Sequence, residues 1–173
     1  SVHPAGTVRI VTTASTFRQV RNVLWLQIRR VIQKYNLGGE CHQVEWRKDG
    51  ELIADGFSPS DNDETATQGV HAPHLLVVVD EAGGISPVLG RALEALMTGG
   101  HTRLLILGNP PVDNEGSWFE RACNSDLYNV IPIDALSTPN FTGEDAGMCH
   151  ACPPESGVHE IRTHLVDQEW VDD

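Results

Sequence analysis

Leu75-Leu76-Val77-Val78-Val79-Asp80-Glu81 sets five uninterrupted apolar residues directly before two adjacent carboxylates. A strand with no apolar–polar alternation is buried on both faces, as in the middle of a parallel sheet covered by helices. Downstream, Ser86 followed by Pro87 reads as an N-cap with proline at the first helical position. Leu89, Ala92, Leu93, Leu96 and Met97 then recur at helical spacing until Gly99-Gly100. Arg103–Leu107 is a second run, uncharged after its first residue, that ends at Gly108-Asn109-Pro110. Strand, helix and strand in this order predict an open α/β sheet, whose working residues lie at the carboxyl ends of its strands. Asp80, Glu81 and Asn109 occupy those ends.

Upstream, Thr7–Thr13 is rich in β-branched residues and predicts another buried strand. Thr16 with Gln19 three residues on forms a capping box. Phe17, Val20, Leu24, Ile28, Val31 and Tyr35 then predict one amphipathic helix, stopped by Gly38-Gly39. Trp25 lies beside that stripe and is expected to pack rather than stack on a nucleotide. His42–Lys48 and Glu51–Asp55 flank Asp49-Gly50, the pattern of a two-residue β-hairpin turn. Residues 57–70 are polar and turn-rich, hence a loop. His71 and His74 mark a polar approach to the Leu75 run. A short helix is expected from Ser117, and Asn129–Asp134 reads as a last strand, at a sheet edge because of Pro132. Beyond Ser137 the composition is loop-like until a short piece at Ile161–Val171.

Net charge is −12, unevenly spread. Residues 1–48 carry eight of the twelve Lys/Arg and two acids, a local +6, which leaves −18 on residues 49–173. A surface that acidic repels phosphate, so most of the chain is not expected to grip nucleic acid. Arg18, Arg21, Arg29 and Arg30 are the candidate contacts to DNA or to a neighbouring subunit; a solvated helix face is the bland alternative. No apolar run approaches the ~20 residues that cross a bilayer, and Ser1-Val2-His3-Pro4 has no signal-peptide pattern. The lack of an initiator Met suggests a start inside a longer chain. With no export signal the four cysteines are expected to be reduced thiols. Cys149-x-x-Cys152, with His150 and His159 and also His164 nearby, is a candidate zinc site, although no second ligand pair at the usual spacing is evident.

An apolar strand ending in Asp-Glu is the Walker B pattern of ATPases, in which the first acid holds Mg²⁺ and the second polarises the attacking water. Ile10–Trp25 (IVTTASTFRQVRNVLW), Gly56–Ile85 (GFSPSDNDETATQGVHAPHLLVVVDEAGGI) and Leu104–Pro110 (LLILGNP) together resemble the ATPase domain of tailed-phage terminase large subunits. Ser137–Phe141 (STPNF) and Leu165–Val171 (LVDQEWV) are similar to the same family just before its nuclease domain. The resemblance implies a partial P-loop NTPase of the ASCE type: an open, mostly parallel sheet flanked by helices, plus a β-hairpin. It implies a partial ATPase domain over 1–136 and a loop-rich segment over 137–173.

It further implies Asp80 as the Mg²⁺ acid, Glu81 as the catalytic base, and Gly108, Asn109 and Pro110 as a coupling motif. The family is a viral motor that uses Mg²⁺ and ATP to pump double-stranded DNA into a procapsid. Its partners are a portal protein and a small terminase subunit, in the cytoplasm of a bacterial host. No G-x-x-x-x-G-K-[ST] run occurs in this sequence, and no nuclease acids are present. The chain is therefore expected to begin after that loop, to bind ATP weakly by itself, and to expose a sheet edge along 103–107 prone to self-association. The alternatives are a degenerate prophage remnant, a zinc-organised non-enzymatic module, or another ASCE ATPase such as a helicase. Helicase-type motifs after the Walker B are not seen; GNP stands there instead.

Overall fold

The computed structural model describes residues 3, 4, 6–58, 67, 69–109, 116–150, 152 and 154–172. The chain divides into two compact units, Ser1–Tyr128 and Asn129–Asp173.

The first unit is α/β, built on a six-stranded mixed sheet. Its strands are β1 (Val8–Ala14), β2 (Glu40–Cys41), β3 (Glu45–Lys48), β4 (Glu51–Gly56), β5 (His74–Asp80) and β6 (His101–Ile106), in the order β2-β3-β4-β1-β5-β6. β1 pairs parallel with β4 and β5, and β5 pairs parallel with β6. β2, β3 and β4 run antiparallel in turn. The hairpin is thus part of the sheet. Its turn follows from Asp49 and Gly50, both at positive φ (52° and 81°), which the two-residue primed turn requires.

β5 is the strand the sequence implied, flanked on both sides by parallel neighbours. Val77 and Val79 are fully buried, with Val11 and Leu75, against Leu89 and Leu93 of α3 (Pro87–Ala95) and Trp118 and Phe119 of α4 (Trp118–Cys123). Ser86 Oγ accepts from Leu89 N–H at 3.2 Å, and Ser117 Oγ from Glu120 N–H at 3.1 Å, so both helices start at the hydroxyl caps the sequence offers. On the opposite face a second cluster joins Ala14 and Ala54 of the sheet to Val20 and Trp25.

That second layer corrects the expected helix. The chain from Phe17 to Lys34 is α1 (Phe17–Gln19), a π-helical stretch (Val20–Leu24) and α2 (Trp25–Lys34). Trp25 N–H bonds Val20 C=O, five residues back. One extra residue in a turn rotates everything after it by about 100°. The stripe read from Phe17 is therefore broken: Phe17, Val31 and Tyr35 are exposed and Trp25 and Ile32 are buried, while Ile28 still packs against the second cluster. Trp25 packs as expected, with its Nε1–H donated to Thr12 Oγ1 at 2.8 Å. Thr16 caps α1 through Gln19 N–H, and Gln19 Oε1 accepts from both Ser15 and Thr16 hydroxyls at 2.6 and 2.8 Å.

Asn129–Asp134 is not a strand. Pro132 lacks an N–H, and β6 ends the sheet with no further strand beside it among the described residues. Ile131 and Ile133 are consequently left 75% and 86% exposed. Among its described residues the second unit holds short elements: α5 (Pro139–Thr142), α6 (Gln168–Asp172) and 3₁₀ turns at Ala135–Ser137, Pro154–Ser156 and Ile161–His164. No helix among the described residues is long and apolar enough to cross a membrane.

Gly90 of α3 lies flat against the Trp118 indole, where a Cβ would come within 2.3 Å of the ring. Helix propensity favours Ala there by about 1 kcal/mol, but overpacking against a buried ring costs about 1–3 kcal/mol or more. Gly90→Ala is expected to lower stability in urea unfolding; a stabilised variant would show that the contact yields freely.

Glu94 ties the same two helices together, accepting from Trp118 Nε1–H at 2.8 Å and Tyr128 O–H at 3.1 Å. Burial, then the Glu94 charge and this bond, push the Tyr128 hydroxyl up to about 12. A folded value above the unfolded one means that the contribution is complete below pH 10 and is lost as pH rises towards 12. Melting temperature should fall across that window, and by less in Tyr128→Phe.

Candidate functional site

Three parallel strands carry their carboxyl ends to one edge of the sheet. Ala14 of β1 stands opposite Asp80 of β5, and Val79 of β5 opposite Ile106 of β6. The turns that follow are packed on one another. Ala82 N–H bonds Leu107 C=O at 2.9 Å, and Leu107 N–H bonds Val79 C=O at 2.8 Å. A Cβ on Gly108 would come within 2.8 Å of Ala82 N, and one on Gly84 within 2.8 Å of Ser15 Cβ. The glycines are therefore needed for close approach, and they bring Gly108-Asn109 beside the turn after Asp80-Glu81.

Asp80 is the last residue of β5 and half-buried; its Oδ1 accepts from Glu81 N–H at 3.1 Å. Glu81 is outside the strand, exposed, and in the left-handed region with φ 51° and ψ 47°. The two acids thus diverge through a left-handed turn rather than through the alternation of a strand. Among the described residues three non-glycines have positive φ: Asn36, Asp49 and Glu81. Asn and Asp tolerate that region because their short side chains bond locally, whereas a glutamate there is strained by about 1 kcal/mol or more. Such strain concentrates at working sites. The arrangement offers one carboxylate oriented by a backbone N–H and a second one free in solvent, a hard oxygen donor set suited to Mg²⁺.

The other predicted residues are distributed as follows. Pro110 lies outside the described residues. His74 stacks on His101 with ring centroids 5.0 Å apart and lies tilted against His3 at 4.0 Å, at the end of the sheet away from Asp80. Burial, then its two histidine neighbours, depress its pKa below the usual histidine value. Two of the four arginines meet at Gln43. Arg29 donates to Gln43 C=O, and with the Gln43 amide oxygen turned inward Arg21 donates to it from Nε and Nη2 at 2.8 and 2.9 Å. Arg18 and Arg30 are exposed.

A second cluster lies in the 129–173 unit. The ligand atoms of Cys149, Cys152, His159 and His164 all fall within 4.8 Å of one another, a group that can hold a metal ion. An antiparallel bridge, Met148 to Glu160, sets Cys149 beside His159 through Cys149 N–H to His159 C=O at 2.8 Å. His164, not His150, is the fourth member. The signal was present in the sequence as His159-x₄-His164, the His half of the C-x₂-C…H-x₃₋₅-H spacing. The bond to Cys149, then burial, raise the Cys152 thiol pKa above its usual value.

Comparison with protein-family models, with curated protein sequences and with solved structures finds no match to this chain.

If Glu81 is held in the left-handed region by its surroundings, glycine there relieves the strain. Glu81→Gly is expected to raise unfolding free energy by about 1 kcal/mol, and Glu81→Ala is not. Equal destabilisation by both would show that the side chain, not the backbone, matters to the fold.

Proposed function

We propose that this chain is the Walker B portion of a DNA-packaging ATPase of the terminase large-subunit type. The observation that carries the reading is Asp80-Glu81 at the carboxyl end of a parallel strand, its turn packed on Gly108-Asn109 at the end of the next strand. Sheet topology supports the same reading. β1, β5 and β6 are consecutive parallel strands whose working ends coincide, the geometry in which open α/β sheets bind nucleotides.

In this reading Asp80, oriented by the Glu81 N–H, holds Mg²⁺. The metal when bound neutralises the charge on the β- and γ-phosphate oxygens. Glu81, exposed and turned away from Asp80, accepts a hydrogen bond from a water and orients it as general base. Asn109 senses the terminal phosphate by hydrogen bonding, and the tight Gly108–Ala82 approach transmits its movement to the acid turn. The phosphate-cradling G-x-x-x-x-G-K-[ST] loop is absent from these residues. The nucleotide is therefore held jointly with a segment outside this sequence, and the isolated chain hydrolyses ATP slowly if at all. Double-stranded DNA, a portal ring and a small terminase subunit are the partners of the complete motor. Self-association along the β6 edge belongs to the isolated chain.

The test uses the complete native reading frame that contains these residues. Glu81→Gln should lower the ATP hydrolysis rate by roughly 100-fold or more while nucleotide binding persists, the loss expected of a general base. Asp80→Asn should weaken Mg²⁺-dependent nucleotide binding. A Glu81→Gln protein with wild-type hydrolysis, or a reading frame whose product does not hydrolyse ATP, would sink the proposal.

A further inference from the structure

The unit Asn129–Asp173 has no core of the usual kind. None of its described side chains is buried, and apolar groups such as Ile131, Ile133, Val158 and Trp170 are exposed. Segments of about 40 residues seldom bury enough apolar surface to hold one conformation, and commonly rely on disulfides or a metal instead. All four cysteines are free thiols. Polar ties do exist. Asn140 Nδ2 lies 3.1, 3.4 and 3.0 Å from the carbonyl oxygens of Arg162, Leu165 and Val166, and Arg162 donates to Glu144 C=O. Exposed bonds of that kind contribute about 1 kcal/mol each and do not replace a core.

These ties converge on the Cys/His cluster. The bridge between Met148 and Glu160 fixes Cys149 and His159 side by side. The 3₁₀ turn Ile161–His164, held from outside by Asn140, swings His164 back over them. His164 Nε2 is then 2.8 Å from His159 Nε2 and 3.2 Å from Cys152 Sγ. Around a tetrahedral zinc, with Zn–N about 2.0–2.1 Å and Zn–S about 2.3 Å, nitrogen atoms stand about 3.3 Å apart and nitrogen and sulfur about 3.5 Å apart. These two separations are within about half an ångström of tetrahedral values, and the four ligand atoms all lie within 4.8 Å of one another.

The tautomer fits as well. His159 Nδ1 lies 3.0 Å from Gly157 C=O, so Nδ1 carries the proton and the Nε2 lone pair faces the cluster. A backbone carbonyl behind the ring is the usual outer support of a metal-bound histidine. Two thiolates and two imidazoles in a closed tetrahedral set select zinc over harder cations.

We propose that Cys149, Cys152, His159 and His164 bind one structural Zn²⁺, and that this ion organises the 129–173 unit. The site is independent of the ATPase reading, since it shares no residue with Asp80, Glu81 or Asn109. All four protein ligands fill the coordination sphere, which leaves no open position for a water and makes the role structural.

The experiment is metal analysis of the full chain purified under thiol reductant from zinc-supplemented medium. About one zinc per chain is expected. Replacement by Co²⁺ should give the visible d–d bands of tetrahedral cobalt with thiolate charge transfer. Cys152→Ser and His164→Ala should each weaken zinc binding by roughly 100-fold or more, beyond what loss of an outer support does. His150→Ala should bind as the parent chain does. Removal of zinc with a chelator should speed proteolysis within 129–173 and leave cleavage within 1–128 unchanged. A chain that carries no zinc and gives no tetrahedral cobalt spectrum overturns the proposal, as does a Cys149–Cys152 disulfide that persists in reductant. Loss of binding in His150→Ala with none in His164→Ala overturns the ligand assignment.

Discussion

Parallel pairing of β1, β5 and β6 in a common direction is the constraint from which the rest of the first unit follows. β1 and β5 are matched over the whole of Val8–Ala14 and His74–Asp80, and β5 and β6 over His74–Val79 and His101–Ile106. Strands matched in this way must end together, so the turns after Ala14, Asp80 and Ile106 crowd into one edge. Parallel strands also need cover on both faces. One face is closed by α3 and α4, and the other by the π-helical stretch and α2 over β1 and β4. Crowding at the carboxyl edge is why Gly84 and Gly108 admit no side chain, and why Glu81 takes a left-handed conformation. The placement of Asp80 and Glu81 at that edge thus follows from how the sheet is wound.

Local grammar in the sequence predicted most of this and failed where a distant partner decides. The five-residue run before Asp80, the Asp49-Gly50 turn and the Ser86 and Ser117 caps are written within a few residues of where they act. The π-helical stretch is not. Its extra residue is fixed by Trp25, whose indole reaches Thr12 on the sheet while its ring lies against Gly56. A tertiary bond of that kind overrides a helical stripe that looks regular from Phe17 to Tyr35. Asn129–Asp134 has the composition of a strand, but Pro132 cannot donate to a ladder and the segment pairs with none of the described strands. His150 looked the better zinc ligand than His164 because it adjoins Cys149. The antiparallel bridge and the Asn140 tie decide otherwise, and both are invisible in the spacing of the cysteines.

The two units illustrate different solutions to the entropy of ordering a chain. Residues of Ser1–Tyr128 pack into two apolar clusters, with tryptophans Trp25 and Trp118 at their centres, each with its Nε1–H bonded. Full burial of each large side chain contributes about 1.5–3 kcal/mol against the cost of ordering the backbone. Asn129–Asp173 has no such cluster, and its order rests on directional bonds around few residues.

Charge sets the terms on which the Asp80–Glu81 turn can meet a nucleotide. Residues 49–173 carry −18, and a bare triphosphate approaching two carboxylates within that field is repelled. Under the proposed reading a divalent cation would reverse the local sign, so that a metal would be a precondition of phosphate binding rather than an accessory to it. Three of the arginines are already engaged. Arg21 and Arg29 are engaged with Gln43 beside the hairpin. Arg103, nearest in sequence to Asn109, turns its Nη1 back to Thr102 C=O at 2.9 Å. Under the proposed reading, these 173 residues contribute acidic side chains, a carboxylate oriented by a backbone N–H and the amide of Asn109.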